Sequence, residues 1–199
     1  MCPLVETIKL KDGELFNLQY HKKRMNGALA ELFPKAGEID LQSMISIPED
    51  CLSGLFKVRV LYGSTIEKIE FEPYSFRTIQ SLKVVHHNRI DYHLKYTNRQ
   101  ILQDLFAQRG NCDDIIIVKN GFVTDAFAAN LVFFDGQKWV TPTTPLLKGI
   151  QRQFMLDQGI VSEQEIGEDD IPAFQKVGLV NAMISFEDMP VIGIEKIIF

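Results

Sequence analysis

One lysine and one carboxylate carry the chemical signal of this chain. Lys95 lies in the segment YHLKYTNR, residues 92–99, and Asp125 lies in the segment GFVTDAFAANL, residues 121–131. A lysine amine can form an imine with an aldehyde. A carboxylate can keep a pyridine nitrogen protonated, so that the ring accepts electrons. These two residue types therefore predict pyridoxal phosphate chemistry.

A third segment, residues 141–152, begins with Thr-Pro and ends with the run KGIQR. Gly149 would let the backbone approach a ligand closely. The N–H groups of Ile150 and Gln151 would point at a phosphate from the first turn of a helix. Arg24 could add a bidentate phosphate contact. Together these residues predict a site for an anionic group.

Each of these residues, taken singly, also fits a purely structural role. Lys95 could be a solvated surface lysine, Asp125 a surface turn residue and Arg24 a solvated helix arginine. Asn130, at the start of an apolar strand, could orient the carboxylate of Asp125 or satisfy backbone groups. The chemical reading therefore depends on the three segments being taken together.

The elements that must position these residues follow from apolar periodicity and turn signals. Alternation of apolar residues predicts strands, and apolar residues three and four apart predict helices. Strands are predicted at 4–10, 15–18, 56–62, 66–72, 84–85, 115–118, 122–124, 131–134, 177–180 and 191–198. Helices are predicted from 19 or 20 to 33, at 97–108 and at 149–158. This pattern is typical of a mixed α/β protein with two lobes, residues 1–83 and residues 84–199.

Composition narrows the classes of protein and partner. The chain has 199 residues and a formal net charge of −5, so it lacks the basic footprint of a nucleic-acid-binding protein. No apolar run approaches the roughly 18 residues that span a bilayer. The first residues do not resemble a secretion signal. The three cysteines are an odd number at wide spacings, which favours a reducing compartment without disulfides. We expect a cytoplasmic protein that acts on a small molecule.

The histidines do not predict a metal site. His86 and His87 are adjacent, and adjacent side chains of a strand point to opposite faces. His21 and His93 have no partner at a spacing typical of ligands. The chain also lacks a G-x-x-x-x-G-K-[ST] phosphate loop and a G-x-S-x-G nucleophile turn. Hydrolases and nucleotide-dependent enzymes are disfavoured accordingly.

In their order along the chain, these segments resemble the class IV aminotransferase family of fold-type IV pyridoxal phosphate enzymes. The resemblance runs from about Leu94 to Met155, with a weaker match in residues 6–24. It rests on Lys95 with Asn98-Arg99, Gly121-x-Val123-x-Asp125, Ala129-Asn130-Leu131, Thr141-Pro142 and Gly149-Ile150-Gln151-Arg152-Gln153-Phe154, preceded by Glu6-Thr7-Ile8, Asp12-Gly13 and His21-x-x-Arg24. Each piece alone is unspecific, but the ordered set is not.

The resemblance implies a role for each candidate residue. Lys95 would be the Schiff-base lysine, and Asp125 would be the partner of the pyridine nitrogen. The other cofactor-binding residues would be Arg24, Asn130, Gly149, Ile150 and Gln151, with Arg24 as a phosphate ligand and Ile150 and Gln151 as backbone phosphate donors. Asp125 stands where the family usually has glutamate, and Gln151 replaces a frequent threonine.

The resemblance also implies a fold and an assembly. The fold would be that of D-amino acid aminotransferase, with two α/β lobes and a shortened N-terminal lobe. Residues 1–83 would form the small lobe, and residues 84–199 would form the larger, cofactor-binding lobe. The family's sites lie near a subunit boundary, so a homodimer is expected.

The reaction is a finer question, on which the stretch Asn181-Ala182-Met183 bears. It resembles the corresponding stretch of the aminodeoxychorismate lyases, with Asn181 as a substrate-binding residue. That resemblance implies release of 4-aminobenzoate and pyruvate, a step of folate synthesis. Two alternatives stay open: a transaminase acting on a small branched-chain or D-amino acid, and a non-catalytic binding protein of the same fold.

Overall fold

The computed structural model describes residues 3–199. The chain forms two compact units. The first contains the described residues up to Phe76 together with Leu94–Asn98, and the second contains Arg77–His93 and Arg99–Phe199. This division differs from the predicted boundary at residue 83 in two ways: the first stretch of the first unit ends at Phe76, and the segment with Lys95 belongs to the first unit.

The first unit is built on one antiparallel sheet with the strand order β2-β1-β3-β4. Its elements are β1 (Leu4–Lys11), β2 (Glu14–Leu15), α1 (Leu18–Leu32), α2 (Leu41–Met44), a 3-10 turn (Glu49–Cys51), β3 (Leu55–Tyr62) and β4 (Ile66–Pro73). The segment that contains Lys95 joins β1 through main-chain contacts. The N–H of Val5 donates to the carbonyl of Lys95 at 3.0 Å, and Leu4 forms an antiparallel bridge with Tyr96.

One face of this sheet packs against α1. Alternate residues of β1 share a face, and Leu4, Ile8 and Leu10 are fully buried there in one cluster with Met25 and Leu29 of the helix. The strand predicted at 15–18 is wrong beyond Leu15. Asn17 adopts a left-handed conformation with φ 55°, which ends the strand and precedes the first turn of α1.

The second unit contains two sheets. The first has the order β13-β5-β6-β7, and the second has the order β10-β9-β8-β11-β12. The strands are β5 (Leu82–His86), β6 (Asp114–Lys119), β7 (Phe122–Val123), β8 (Asn130–Phe134), β9 (Trp139–Pro142), β10 (Ser162–Gln164), β11 (Lys176–Val180), β12 (Val191–Gly193) and β13 (Ile197–Ile198). The sequence analysis missed β9 and β10. Both strands are short, β9 ends at Pro142, and Gln164 of β10 pairs with Pro142.

An apolar cluster joins the two sheets of the second unit. It includes Ile116 and Val118 of β6 and Leu131 and Phe133 of β8, which are all fully buried. Two helices accompany the sheets, α3 (Gln100–Ala107) and α4 (Ile150–Asp157), and short 3-10 turns lie at Glu168–Ala173 and Ile194–Lys196. Over residues 3–199, no helix is both long enough and apolar enough to cross a membrane.

Candidate active site

The first unit contains a buried carboxylate among three basic side chains. Glu6 points to the core face of β1 and is fully buried. Its Oε1 accepts a hydrogen bond from Nε of Arg24 at 2.9 Å, and its Oε2 accepts one from Nη2 at 2.6 Å. Nδ1 of His21 lies 2.6 Å from the same Oε2. Arg24 and His21 are one turn apart on α1, so a single helix face supplies both partners.

The charges of this cluster follow from burial and contact. Burial alone would raise the pKa of Glu6, but Arg24 and the hydrogen bond from His21 outweigh it and lower the pKa to about 2. Burial lowers the pKa of His21, and the charges of Arg24 and Lys95 lower it further against the pull of Glu6. Glu6 is therefore ionised and His21 is neutral near neutral pH, with a proton on Nδ1 directed at the carboxylate.

Lys95 belongs to the same cluster. Its main chain pairs with β1 at Val5, one residue before Glu6. Its side chain is half-buried, and its charge acts on His21. The first unit thus contains both Lys95 and Arg24, and their roles as Schiff-base lysine and phosphate ligand stay predictions.

The second unit contains a buried carboxylate of a different character. Asp125 is 6% exposed, and both of its oxygens accept hydrogen bonds. Nδ2 of Asn130 donates to Oδ1 at 2.7 Å, and the N–H of Leu147 donates to Oδ2 at 3.0 Å. Burial nevertheless raises the pKa of Asp125 to about 6, because these donors and the distant charge of Arg152 offset only part of the lost hydration. A positively charged partner would restore its ionisation.

The start of α4 lies against the same asparagine. Nδ2 of Asn130 also donates to the carbonyl of Leu147 at 2.9 Å. A Cβ atom added at Gly149 would collide with Oδ1 of Asn130, so only glycine allows this approach. Gly149 is the N-cap residue of the helix and, as glycine, offers no side chain to cap it. The first N–H groups of α4, including those of Ile150 and Gln151, suit an anion.

The loop between Asp125 and Asn130 is held from two sides. Nδ2 of Asn181 donates to the carbonyl of Ala128 at 3.0 Å. Nη2 of Arg99 donates to the carbonyl of Phe127 at 2.6 Å, and its guanidinium lies over the ring of the same residue. Oδ1 of Asn181 accepts from the backbone of Met183 and Ile184. The role of Asn181 in substrate binding stays a prediction, since these contacts orient the loop.

The predicted residues thus form two groups, each within one unit. Arg24 and Lys95 lie together in the first unit. In the second unit, Asp125, Asn130, Gly149, Ile150 and Gln151 form a connected group, and Asn181 reaches the adjacent loop. Sequence reasoning did not assign roles to Glu6 and His21. The sequence did contain an indication of such a role, because Glu6 occupies a position in β1 where the alternation of residues would place a buried apolar side chain.

Comparison with known proteins shows which sequences and structures this chain is similar to. A sequence model of class IV aminotransferases matches residues 3–194. An uncharacterized protein of Haemophilus influenzae is 37% identical over 185 residues, which cover 92% of this chain and 98% of that protein.

Two solved structures are also similar. One, from Haemophilus somnus and named as a candidate 4-amino-4-deoxychorismate lyase, has a TM-score of 0.89 and 32% identity, covering 94% of this chain and 98% of its own. The other, from Mesorhizobium loti and named as a candidate amino-acid aminotransferase, has a TM-score of 0.84 and 18% identity, covering 100% of both chains. The second similarity shows the fold alone.

Proposed function

This chain belongs to the class IV aminotransferase family, and from that premise we propose that it is a 4-amino-4-deoxychorismate lyase. The reaction would give 4-aminobenzoate and pyruvate. The similarity to the Haemophilus somnus structure carries the proposal, because it extends over 98% of a protein named as a candidate for that activity. The stretch Asn181-Ala182-Met183 supports the same reaction.

The cofactor is pyridoxal 5′-phosphate, on which the family depends. When bound, it attaches the substrate amine covalently and withdraws electrons from the bonds that break. The donor set of this chain fits such a group. In the first unit, Arg24 suits a phosphate. In the second unit, the first N–H groups of α4 suit a phosphate and the buried carboxylate of Asp125 suits a protonated ring nitrogen. Lys95 is the amine that would carry it.

Each of the candidate residues has a separate role in the proposed reaction. Lys95, once free, takes the proton from the amine-bearing ring carbon of the substrate and acts as general base. Asp125 would stay ionised as the partner of a positive ring nitrogen, and Asn130 fixes the direction of its carboxylate. The resemblance implies that Arg24 and the backbone of Ile150 and Gln151 would be ligands of the phosphate. Loss of the enolpyruvyl group as pyruvate makes the product ring aromatic, so the protein mainly has to orient the breaking C–H bond.

The assembly belongs to the same proposal. Members of the family act on small molecules, and we infer that this chain acts as a homodimer, as the resemblance implies. Analytical ultracentrifugation of the cofactor-loaded protein tests this separately from activity. A single species of monomer mass at micromolar concentration would contradict it.

Turnover of aminodeoxychorismate tests the proposed reaction. Enzymatically prepared substrate is added to the cofactor-loaded protein, and 4-aminobenzoate is followed by its fluorescence. We expect product with the wild type and with Lys138→Ala, which removes an exposed lysine of a surface turn. We expect none with Lys95→Ala.

The other outcomes are equally clear. Turnover that persists in Lys95→Ala would contradict the assigned base. If the wild type binds the cofactor and makes no 4-aminobenzoate, but amino acids convert the bound cofactor to its amine form, the protein is a transaminase. If neither substrate class changes the bound cofactor, the protein is a binding protein.

A further inference from the structure

Glu6 is an ionised side chain in the apolar core of the first unit. It occupies the face of β1 that it shares with Leu4 and Ile8, and its side chain has no exposed surface. An isolated carboxylate there would be strongly unfavourable, and it persists because Arg24 and His21 bond to it. A leucine of similar size would fill the same space without this requirement. The position therefore points to a role beyond packing.

The contacts of Glu6 fix the orientation of Arg24. The Nε and Nη2 atoms of the guanidinium meet the two carboxylate oxygens at 2.9 and 2.6 Å, which is the paired geometry of an arginine and a carboxylate. This pairing sets the plane of the guanidinium. An arginine side chain that is fixed in advance loses less conformational freedom when it binds an anion.

His21 fixes Glu6 in turn. Its Nδ1 lies 2.6 Å from Oε2, so the carboxylate is held from α1 at two points. The charged groups Arg24 and Lys95 both disfavour a proton on Nε2, and burial does so as well. Nε2 has no hydrogen-bond partner within residues 3–199. Because His21 is neutral, it does not neutralise the negative charge of Glu6. That charge therefore acts on the guanidinium of Arg24.

We propose that Glu6, held by His21, is a positioning residue that orients the guanidinium of Arg24 for the phosphate of pyridoxal phosphate. The inference rests on the proposed role of Arg24. Glu6 itself does not contact the reacting atoms. Its effect on ligand binding is expected only at the phosphate end of the cofactor, whereas a general loss of stability would weaken every ligand of the site.

Comparison of two ligands tests this inference. Pyridoxal phosphate and pyridoxal, which lacks the phosphate, are titrated into the cofactor-free full-length protein, and both dissociation constants are measured. Because hydrogen bonds to charged groups contribute most of an arginine–phosphate contact, we expect Glu6→Gln to weaken pyridoxal phosphate binding by roughly tenfold to a hundredfold. Binding of pyridoxal should change little. Glu6→Asp, which keeps the charge, should recover part of the preference.

Two further variants make each outcome decisive. Arg24→Lys should lose the preference for the phosphorylated ligand, and Glu70→Gln should keep it. The latter removes a partner of Arg59 in the same sheet, 2.9 Å away. If Glu6→Gln weakens both ligands equally, Glu6 is merely structural and the inference is overturned. If Arg24→Lys keeps the preference, the role of Arg24 fails. If Arg24→Lys loses the preference and Glu6→Gln keeps it, only the inference fails.

If Glu6→Gln does not fold, His21→Asn replaces it in the same titration. This variant should show a smaller loss confined to the phosphorylated ligand. An unchanged preference in His21→Asn would overturn the part that His21 has in the inference.

Discussion

The side-chain amide of Asn130 donates to the carboxylate of Asp125 at 2.7 Å, and its nitrogen also reaches the carbonyl of Leu147 at 2.9 Å. One side chain therefore ties the carboxylate to the segment that leads into α4. The proposed partner of the ring nitrogen and the proposed phosphate donors are kept at a fixed separation by this link. The two ends of a rigid cofactor require such a constant distance.

Asp125→Asn tests the charge at this position. Asparagine keeps the shape but offers one acceptor where Asp125 satisfies two donors, Asn130 and Leu147. It also cannot stabilise a positive ring nitrogen. Because hydrogen bonds to charged groups contribute about 1.5–3 kcal/mol, we expect kcat to fall roughly tenfold to a hundredfold. Steady-state kinetics with saturating cofactor measure it.

The same substitution at Asp135 is the matched control. Asp135 accepts two backbone hydrogen bonds in an exposed turn, so Asp135→Asn should leave kcat near the wild-type value. An Asp125→Asn variant with unchanged kcat would remove Asp125 from the proposed mechanism.

Gly149→Ala should disrupt the link between Asn130 and α4. The backbone of Gly149 has φ −70°, which alanine tolerates, so the cost comes from the collision with Oδ1 of Asn130. Overpacking of this kind destabilises by about 1–3 kcal/mol. Urea unfolding of the cofactor-free protein measures it. In the double variant with Asn130→Ala the collision partner is gone, so the two costs should not add.

Gly27→Ala provides a control of opposite sign. Gly27 lies inside α1, and a Cβ there meets nothing within 4 Å. Alanine should stabilise the helix by about 0.5–1 kcal/mol. Full additivity of Gly149→Ala and Asn130→Ala would show that the close approach is not what makes Gly149 necessary.

The buried carboxylate of Asp125 should make the cofactor-free protein sensitive to pH. Burial raises its pKa from 3.8 to about 6. Its contribution to stability is therefore complete below pH 3.8 and is lost as the pH rises through about 6. The loss amounts to roughly 3 kcal/mol. The free energy of unfolding of Asp125→Asn, minus that of the wild type, should rise by this amount from pH 3 to pH 7. A constant difference would contradict the raised pKa.

Glu6 should give the opposite dependence at lower pH. Despite burial, Arg24 and His21 lower its pKa from 4.5 to about 2. Its contribution is therefore present above pH 4.5 and is lost as the pH falls through about 2, by roughly 3 kcal/mol. Acid titration of the wild type and of Glu6→Gln, followed by circular dichroism, should show this loss only in the wild type. Parallel acid transitions would contradict the assignment.

Local sequence predicted most of the second group of site residues. Asp125, Asn130 and Gly149 lie at the ends of elements that periodicity and turn residues mark clearly. Asn120 and Gly121, for example, both adopt the positive φ of a tight hairpin. Their contacts join residues within 22 positions of one another, as from Leu147 to Asp125. Once the helices and strands are predicted correctly, contacts over such short sequence distances follow almost directly.

The first group could not be predicted in the same way. To predict the hydrogen bond between His21 and Glu6, one must know both which face of β1 carries Glu6 and which face of α1 packs against the sheet. Pairing of Lys95 with Val5 requires a main-chain contact across 90 positions, which no local pattern encodes. The strand at Trp139–Pro142 was missed because it is short and contains proline, which sequence patterns associate with turns.

The return of Leu94–Asn98 to the first unit has a consequence for synthesis of the chain. A ribosome releases β1 through β4 first, then Arg77–His93, and only afterwards the segment that pairs with Leu4 and Val5. This part of β1 can therefore form its contacts with residues 94–98 only after the rest of the first unit has been synthesised. No single cut yields both units intact, because the segment that contains Lys95, the proposed Schiff-base lysine, is synthesised between two stretches of the second unit.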